Sequence, residues 1–248
     1  MQSVVAHAGR LYVLDTRNPK FLGVKDAPRI FVFDLETDKR LPDHVLSDDA
    51  YFPDSYINDL RVDSDRNRIY MTDSNHPGLV VLEMSSGESY RVLNEHPSTT
   101  AEVDRLTIDG KPWENTVHAD GIAFDQRTGT LYFHALTGYT LYALDVGLIR
   151  KGADLSSHVQ TIAKTAAPDG MILDENANLY FADLENHKIQ YKTDAGVIRT
   201  LVEGNDVCWA DTFSIHKNWL YYTNSRIHEA GDDVTDMTFD IRRVKLPN

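Results

Sequence analysis

Residues 168–183 read PDGMILDENANLYFAD. An alternating run, GMILD, is followed by a polar turn, ENAN, and then by an apolar run built on a Leu-Tyr pair. Alternation at period two marks a half-buried strand, and a cluster of Asn and acidic residues between two such runs marks a tight connection. The stretch therefore predicts a β-hairpin. Its leading Asp169 raises a second question, because an Asp-Gly pair before a strand either shapes a turn or presents a carboxylate.

The same layout recurs along the chain. Aligned on the Leu/Ile-Tyr pair, the copies are GRLYVLD (9–15), NRIYMTD (67–73), GTLYFHA (129–135), ANLYFAD (177–183) and NWLYYTN (218–224). Tyr12, Tyr70, Tyr132, Tyr180 and Tyr221 stand 58, 62, 48 and 41 residues apart. A third strand follows each of the first four pairs: RIFVFDLETDKR (29–40), GLVVLEMSSGESYRVL (78–93), TLYALDV (140–146) and KIQYKTDAGVIRTLV (188–202). In two of these, SSGE and TDAG are hairpin turns into a fourth strand. A β-rich repeat of this period is the signature of propeller blades. The expected fold is all-β: a single β-propeller domain over 1–248, made of four-stranded antiparallel blades. Five blades are visible, at about 1–50, 51–100, 118–165, 166–205 and 206–248. The inner strand of the first begins close to Met1, and FDIRRVKLPN closes the last. DVGLIRKGA (145–153) allows a helical turn or two. Residues 94–117 form an insertion in which RLTIDGKPW predicts a small extra hairpin across one face, and 226–238 form a polar loop.

Composition narrows the partners. The chain has 248 residues, 25 basic and 38 acidic, for a net charge of −13. Such a surface is repelled by phosphate backbones and anionic lipid heads, so nucleic acid and membrane surfaces are not the expected partners. A cation, an amine or a neutral small molecule fits better. The single cysteine, Cys208, allows no internal disulfide, and no apolar run is long enough to span a bilayer. The opening residues MQSVVAHAGRLYVLD carry no signal-peptide pattern.

The repeat register draws attention to one set of carboxylates. Asp59, Asp120, Asp169 and Asp211 precede the repeat tyrosines by 11, 12, 11 and 10 residues. Each marks the start of a blade's first strand. In a propeller those strands line the central channel, so the four carboxylates converge on one mouth. Like charges in a partly dry channel raise one another's pKa or attract a cation. An oxygen-rich cluster of this kind suits Ca²⁺ or another divalent cation, which makes Asp59, Asp120, Asp169 and Asp211 candidate metal ligands. Asn58 could add a carbonyl oxygen. His118 and Trp209 stand two residues before Asp120 and Asp211, and an aromatic ring beside carboxylates also suits an amine. The candidate ligand-binding set is thus Asn58, Asp59, His118, Asp120, Asp169, Trp209 and Asp211. The alternative is structural: these oxygens cap backbone N–H groups between adjacent strands and hold no ligand.

Other motifs say less. DSDRNR (63–68) lacks the glycine and terminal glutamate of a calcium loop and reads as a solvated hairpin. His76, His96, His134, His187, His216 and His228 show no HxxxH or HxH spacing for zinc. No nucleophile elbow, P-loop or dinucleotide fingerprint is present. Cys208 is expected to be buried near the channel mouth, and a catalytic residue cannot be singled out.

Several long segments resemble the major royal jelly/yellow protein family. They are YINDLRVDSDRNRIYMTDS with GLVVLEMSSGESYRVLNEHPST (56–99), HADGIAFDQRTGTLYFHALTGYTLYAL (118–144) and WADTFSIHKNWLYYTNSRIHE (209–229). LYVLDTRNPK (11–20) is similar to that family's LWVLDTG segment, with Arg17 where glycine is usual. Bacterial members are described as L-dopachrome-tautomerase-related. The resemblance implies a six-bladed propeller, of which this chain would lack the N-terminal blade. A ring short of one blade closes as five, stays open, or pairs with another copy. The resemblance also implies a secreted or periplasmic protein that binds a small amine or aromatic ligand. Its alternatives are an enzyme of dopachrome-tautomerase or lactonase type and a non-catalytic interaction scaffold. The fold implied is similar to that of gluconolactonase-type hydrolases, which hold a divalent cation in the channel. Asp169 and Asp211 match the style of those metal positions, but no glutamate matches near the N-terminus.

Overall fold

A computed structural model describes residues 1–231 and 233–247. It is all-β, with short 3-10 turns as its sole helical elements among those residues. The first sheet is β1 (Ser3–His7), β2 (Arg10–Asp15), β3 (Arg29–Asp34) and β4 (Arg40–Val45). The second is β5 (Ile57–Asp63), β6 (Arg68–Asp73), β7 (Gly78–Glu83) and β8 (Ser89–Val92). The expected extra hairpin is β9 (Leu106–Ile108) with β10 (Lys111–Trp113). The third sheet is β11 (Ala119–Asp125), β12 (Thr130–Ala135), β13 (Thr140–Asp145) and β14 (Gln160–Lys164). The fourth is β15 (Met171–Leu173), β16 (Leu179–Asp183), β17 (Lys188–Lys192) and β18 (Ile198–Glu203). The fifth is β19 (Ala210–His216), β20 (Trp219–Asn224) and β21 (Asp240–Lys245). Every sheet is an antiparallel meander in chain order, which is the blade of a propeller.

One detail departs from the sequence reading. The fifth sheet has three strands among the described residues, not four. FDIRRVKLPN supplies β21, which pairs directly with β20. The polar segment ahead of it carries a turn at Ile227–Glu229 and no strand among its described residues. That segment has no period-two apolar pattern with which to join a sheet.

The core lies between successive sheets. Leu14, Ile30 and Val32 of the first pack on Leu60, Ile69 and Met71 of the second. Tyr70, Leu79 and Val81 pack on Leu131, Phe133 and Leu144 of the third. Leu141 meets Met171 and Phe181, and Tyr180 and Ala182 meet Phe213 and Leu220. Side chains on both faces of the second, third and fourth sheets are therefore buried, each large one contributing about 1.5–3 kcal/mol, whereas strands of the first and fifth alternate buried and partly exposed residues. That explains why strands such as GLVVLE and LYFAD read as continuous apolar runs and not as strict alternations.

The hairpin turns use a second set of aspartates. Asp63, at the end of β5, accepts the Arg66 amide (3.0 Å) and the Tyr70 hydroxyl (2.9 Å). Asp174 does the same for the amides of Asn176 and Asn178 and for the Tyr180 hydroxyl. DSDRNR is thus a capped hairpin, as its missing glycine and glutamate suggest. The repeat tyrosine is retained in these two blades because it both fills the inter-sheet core and closes this turn.

The inner strands approach closely around the axis: β1 lies against β5, β5 against β11, β11 against β15, and β15 against β19. Two glycines permit this. A Cβ on Gly170 would lie 1.8 Å from the Asp211 carbonyl oxygen, and one on Gly121 would lie 2.6 Å from the Met171 sulfur. The Asp-Gly pairs in blades three and four therefore serve strand contact. Gly170→Ala is expected to lower unfolding stability by about 3 kcal/mol, since a backbone carbonyl must move. Gly121→Ala should cost less, about 1–2 kcal/mol, because the nearest atom belongs to the Met171 side chain, which can swing, while the Asp169 carbonyl oxygen at 3.0 Å is the milder backbone contact. Chemical denaturation of the two variants checks the ranking.

Candidate functional site: an acidic channel

Strand pairing corrects the aspartate alignment by one residue. Val5, Arg61, Ala123, Ile172 and Ser214 each pair with the repeat tyrosine of their blade. Counting back three residues from the last four reaches Asn58, Asp120, Asp169 and Asp211. Asn58, not Asp59, is therefore the structural equivalent of the three aspartates. Asp59 stands where blades three to five carry Gly121, Gly170 and Thr212. Hairpins of unequal length hide this shift from simple spacing, because the residue paired with the tyrosine precedes it by 9 residues in blades two and three, 8 in blade four and 7 in blade five.

Asn58, Asp59, Asp120, Asp169 and Asp211 line one cavity of about 610 Å³. All five inner strands contribute to its wall, including residues 3–7 of β1 and 212–215 of β19. Polar groups gather at one level. The Tyr56 hydroxyl donates to Gln2 Oε1 (2.5 Å), Gln2 Nε2 donates to Asn58 Oδ1 (2.6 Å), and Asn58 Nδ2 donates to Asp120 Oδ2 (2.6 Å). Ser74 Oγ also donates to Asp120 Oδ2 (3.0 Å). Asp169 Oδ2 accepts the Trp209 indole N–H at 2.6 Å. Asp211 accepts from the Thr212 hydroxyl at 3.2 Å. Asp59 accepts from Ser3 Oγ (2.6 Å) and forms an ion pair with Arg61 Nη1 (2.8 Å).

Asp120 and Asp169 thus take side-chain donors from neighbouring blades, and neither accepts a backbone amide among the described residues. That separates them from the turn-capping Asp63 and Asp174. Away from this level the wall turns apolar, with Phe124, Met171, Ile172, Phe213 and Ile215.

The electrostatics follow from burial. Asp120 and Asp169 are 4% and 8% exposed. Burial raises the Asp120 carboxyl first, then repulsion from Asp211 and Asp59; the Ser74 and Asn58 hydrogen bonds oppose the rise, and the group is pushed up to about 8. Asp169 is held well above the ordinary carboxylate range by burial, then by Asp211 and Asp120. Asp211 is pushed up to about 6, again first by burial. The Tyr56 phenol, pushed up to about 12, feels burial and then the charges of Asp120, Asp211 and Asp169. The channel therefore carries fewer negative charges at neutral pH than its carboxyl count.

Two expected members lie elsewhere. His118 points away from the channel: its Nδ1 accepts the Ala101 amide at 3.0 Å, and it is not among the cavity-lining residues. Trp209 is buried behind Asp169 and reaches the site through that one hydrogen bond. The carboxylates also stay dispersed. Among the described residues, the channel aspartates form no group of three with donor atoms within 4.8 Å of one another.

Arg61 was not singled out from the sequence. Its Nη2 donates to the Met171 carbonyl at 2.7 Å, so it crosses from blade two to blade four. Its spacing from Asp59 was the available signal, since residues two apart on a strand share a face.

The family description "Major royal jelly protein" matches residues 2–237. Major royal jelly protein 2 of Apis mellifera is 23% identical over 181 residues, covering 66% of this chain and 40% of that protein. The chain thus spans about two-fifths of that relative's length. Among solved structures, a nidogen/laminin complex aligns with a TM-score of 0.59 at 16% identity, over 87% of this chain and 68% of the other. A streptogramin B lyase aligns with a TM-score of 0.55 at 13% identity, over 100% of this chain and 69% of the other. At such identities these two likenesses concern the fold alone.

The raised carboxyls carry a signed pH dependence. An aspartate raised above its unfolded value of about 3.9 holds more protons in the folded state, so its contribution to stability falls as pH rises above about 4 and levels off beyond the folded value. For Asp211 and Asp120 the falls run to about 6 and about 8. Buried His134, pushed down to about 4, acts with the opposite sign in the same window. The comparison must therefore be made against a variant. Between pH 5 and 8, Asp120→Asn should gain thermal stability relative to the parent as pH rises, and melting curves across that range check it.

Proposed function

The chain belongs to the major royal jelly protein family, and we propose that it binds a small organic cation, an amine carrying an aromatic or apolar body, in the channel cavity. The observation that carries this reading is the imbalance of charge in the cavity wall. Asp59, Asp120, Asp169 and Asp211 face Arg61 as the one arginine or lysine lining it among the described residues. Arg61 is committed to Asp59 and to a carbonyl across the channel. An ammonium group entering beside Asp120, Asp169 and Asp211 restores their ionised forms and recovers the cost of burying them. Phe124, Phe213 and Ile215 offer apolar surface to the rest of such a molecule. Dispersed carboxylates suit an ammonium with several directed N–H donors better than a bare metal ion, which requires its ligands gathered. A divalent cation such as Ca²⁺, held by Asp59, Asp120, Asp169 and Asp211, is the competing occupant.

A second reading draws on the same carboxyls. Groups titrating near neutrality are suited to moving protons, and Asp211 and Asp120 are pushed apart, to about 6 and about 8. That favours a tautomerase over a metal-dependent lactonase among the enzymatic alternatives.

Titration calorimetry with 2-phenylethylamine, its neutral analogue 2-phenylethanol and Ca²⁺ distinguishes these readings. The amine is expected to bind, and the alcohol at least ~10-fold more weakly, as expected when a buried charge loses its partner. Asp120→Asn with Asp169→Asn should abolish amine binding while the fold persists. Equal binding of amine and alcohol would sink the charge-based reading. Ca²⁺ binding that the double variant loses would install the metal instead. Turnover of dopachrome that the same variant loses would establish the tautomerase.

A further inference from the structure

Outside the channel, one group of side chains combines the donor types of a transition-metal site. Cys208 precedes β19, and His228 and Glu229 lie in the turn at Ile227–Glu229. Their ligating atoms all fall within 4.8 Å of one another. Cys208 Sγ is 3.4 Å from Glu229 Oε1, and His228 Nε2 is 3.6 Å from that same oxygen. Around a tetrahedral zinc ion, with bonds of ~2.3 Å to sulfur and ~2.0 Å to nitrogen and oxygen, such edges measure ~3.3–3.5 Å. Asp109, at the tip of the β9–β10 hairpin, places Oδ2 3.7 Å from His228 Nε2.

An independent observation comes from His228. Its side chain is 8% exposed. Both ring nitrogens are shut off from solvent without a hydrogen-bond partner among the described residues. Buried imidazole nitrogens are ordinarily satisfied, because leaving them without partners is unfavourable. The ring is held in place by stacking on Trp209, 5.6 Å between centroids and 11° between planes. The Asp109 oxygen not facing His228 is held by His187 Nε2 at 2.8 Å. His187 thus fixes the carboxylate that stands beside His228.

We propose that Cys208, His228 and Glu229 bind a divalent transition metal of the zinc class, with Asp109 standing beside His228. Sulfur and imidazole donors select zinc, cobalt or copper over calcium and magnesium. On binding, the Cys208 thiol releases its proton to solvent and its sulfur lone pair forms the bond to the metal. The ion would join the entry to the fifth blade and the turn before β21. The site is separate from the channel, and its Asp169 neighbour is reached only through the Trp209 ring.

Cobalt substitution tests this. Chelator-treated full-length protein is titrated with Co²⁺ and then with Zn²⁺, with circular dichroism as the check on folding. One equivalent of Co²⁺ should produce a thiolate-to-cobalt charge-transfer band in the near ultraviolet, which Zn²⁺ then removes. Cys208→Ser should abolish that band. His228→Ala and Glu229→Gln should each weaken binding at least ~10-fold, by comparison with the cost of disturbing even outer ligands. The channel variant Asp120→Asn with Asp169→Asn should retain the band. No charge-transfer band in the parent protein, or a band that survives Cys208→Ser, overturns the proposal. Glu229 is exposed, so Glu229→Gln keeps the test open should either buried variant fail to fold.

Discussion

The structure depends on how closely its inner strands can approach one axis. At the tightest point the backbone of one blade meets the backbone of the next, with Gly170 against the Asp211 carbonyl. No side chain fits there, so the residue after Asp169 must be glycine. Its neighbour in register, Asp120, is likewise followed by Gly121, which faces Met171. Close approach also fixes what the preceding residue can do. A side chain one position before such a glycine is directed to the level where the strands converge, and water is scarce there. Aspartate at that place is costly unless something answers its charge.

The answer is divided among several partners. Asn58 and Ser74 donate to Asp120, and the Trp209 indole donates to Asp169. Arg61 neutralises Asp59 and ties blade two to blade four. What these do not neutralise raises the carboxyls of Asp120, Asp169 and Asp211 above the ordinary carboxylate range, burial being the first cause in each. Retaining three such groups where apolar residues would pack more favourably is difficult to explain by blade cohesion alone. Perturbed carboxyls in a cavity are a functional signal because the same burial that raises them also strengthens their attraction for an incoming cation.

Much of this was legible in the chain. The Leu-Tyr repeat locates the hairpins, because those residues serve both the inter-sheet core and, at Tyr70 and Tyr180, the capped turn. Asp120, Asp169 and Asp211 were found by register. Asp59 was placed one position off, since the hairpin after β5 is longer than those of blades four and five, so a similar spacing from the tyrosine falls on a different strand position. His118 looked like a channel residue from its sequence neighbour, yet it turns outward to the Ala101 amide. The Cys208, His228 and Glu229 group was invisible because metal motifs are read at short spacing. These donors meet only through the path of a loop whose shape no local pattern encodes. The three-stranded fifth sheet was missed for a related reason, since the closing strand was counted by position and not by partner.

Trp209 shows how the two regions are bound together. It adopts φ of +57°, a left-handed conformation that costs a bulky residue roughly 1–3 kcal/mol. Such a conformation persists only if the surroundings over-determine it, and here they do. The indole donates to Asp169, meets Trp113 of the hairpin edge-on at 4.8 Å, and stacks on His228. Its own carbonyl accepts the Ser225 amide at 3.1 Å, just beyond β20. Hairpin, loop and channel carboxyl thus share one side chain. A change in the charge of Asp169 alters the acceptor that holds the indole, and a change in the turn at His228 alters the face it stacks upon. The strained tryptophan therefore ties hairpin, loop and channel carboxyl into one packed unit.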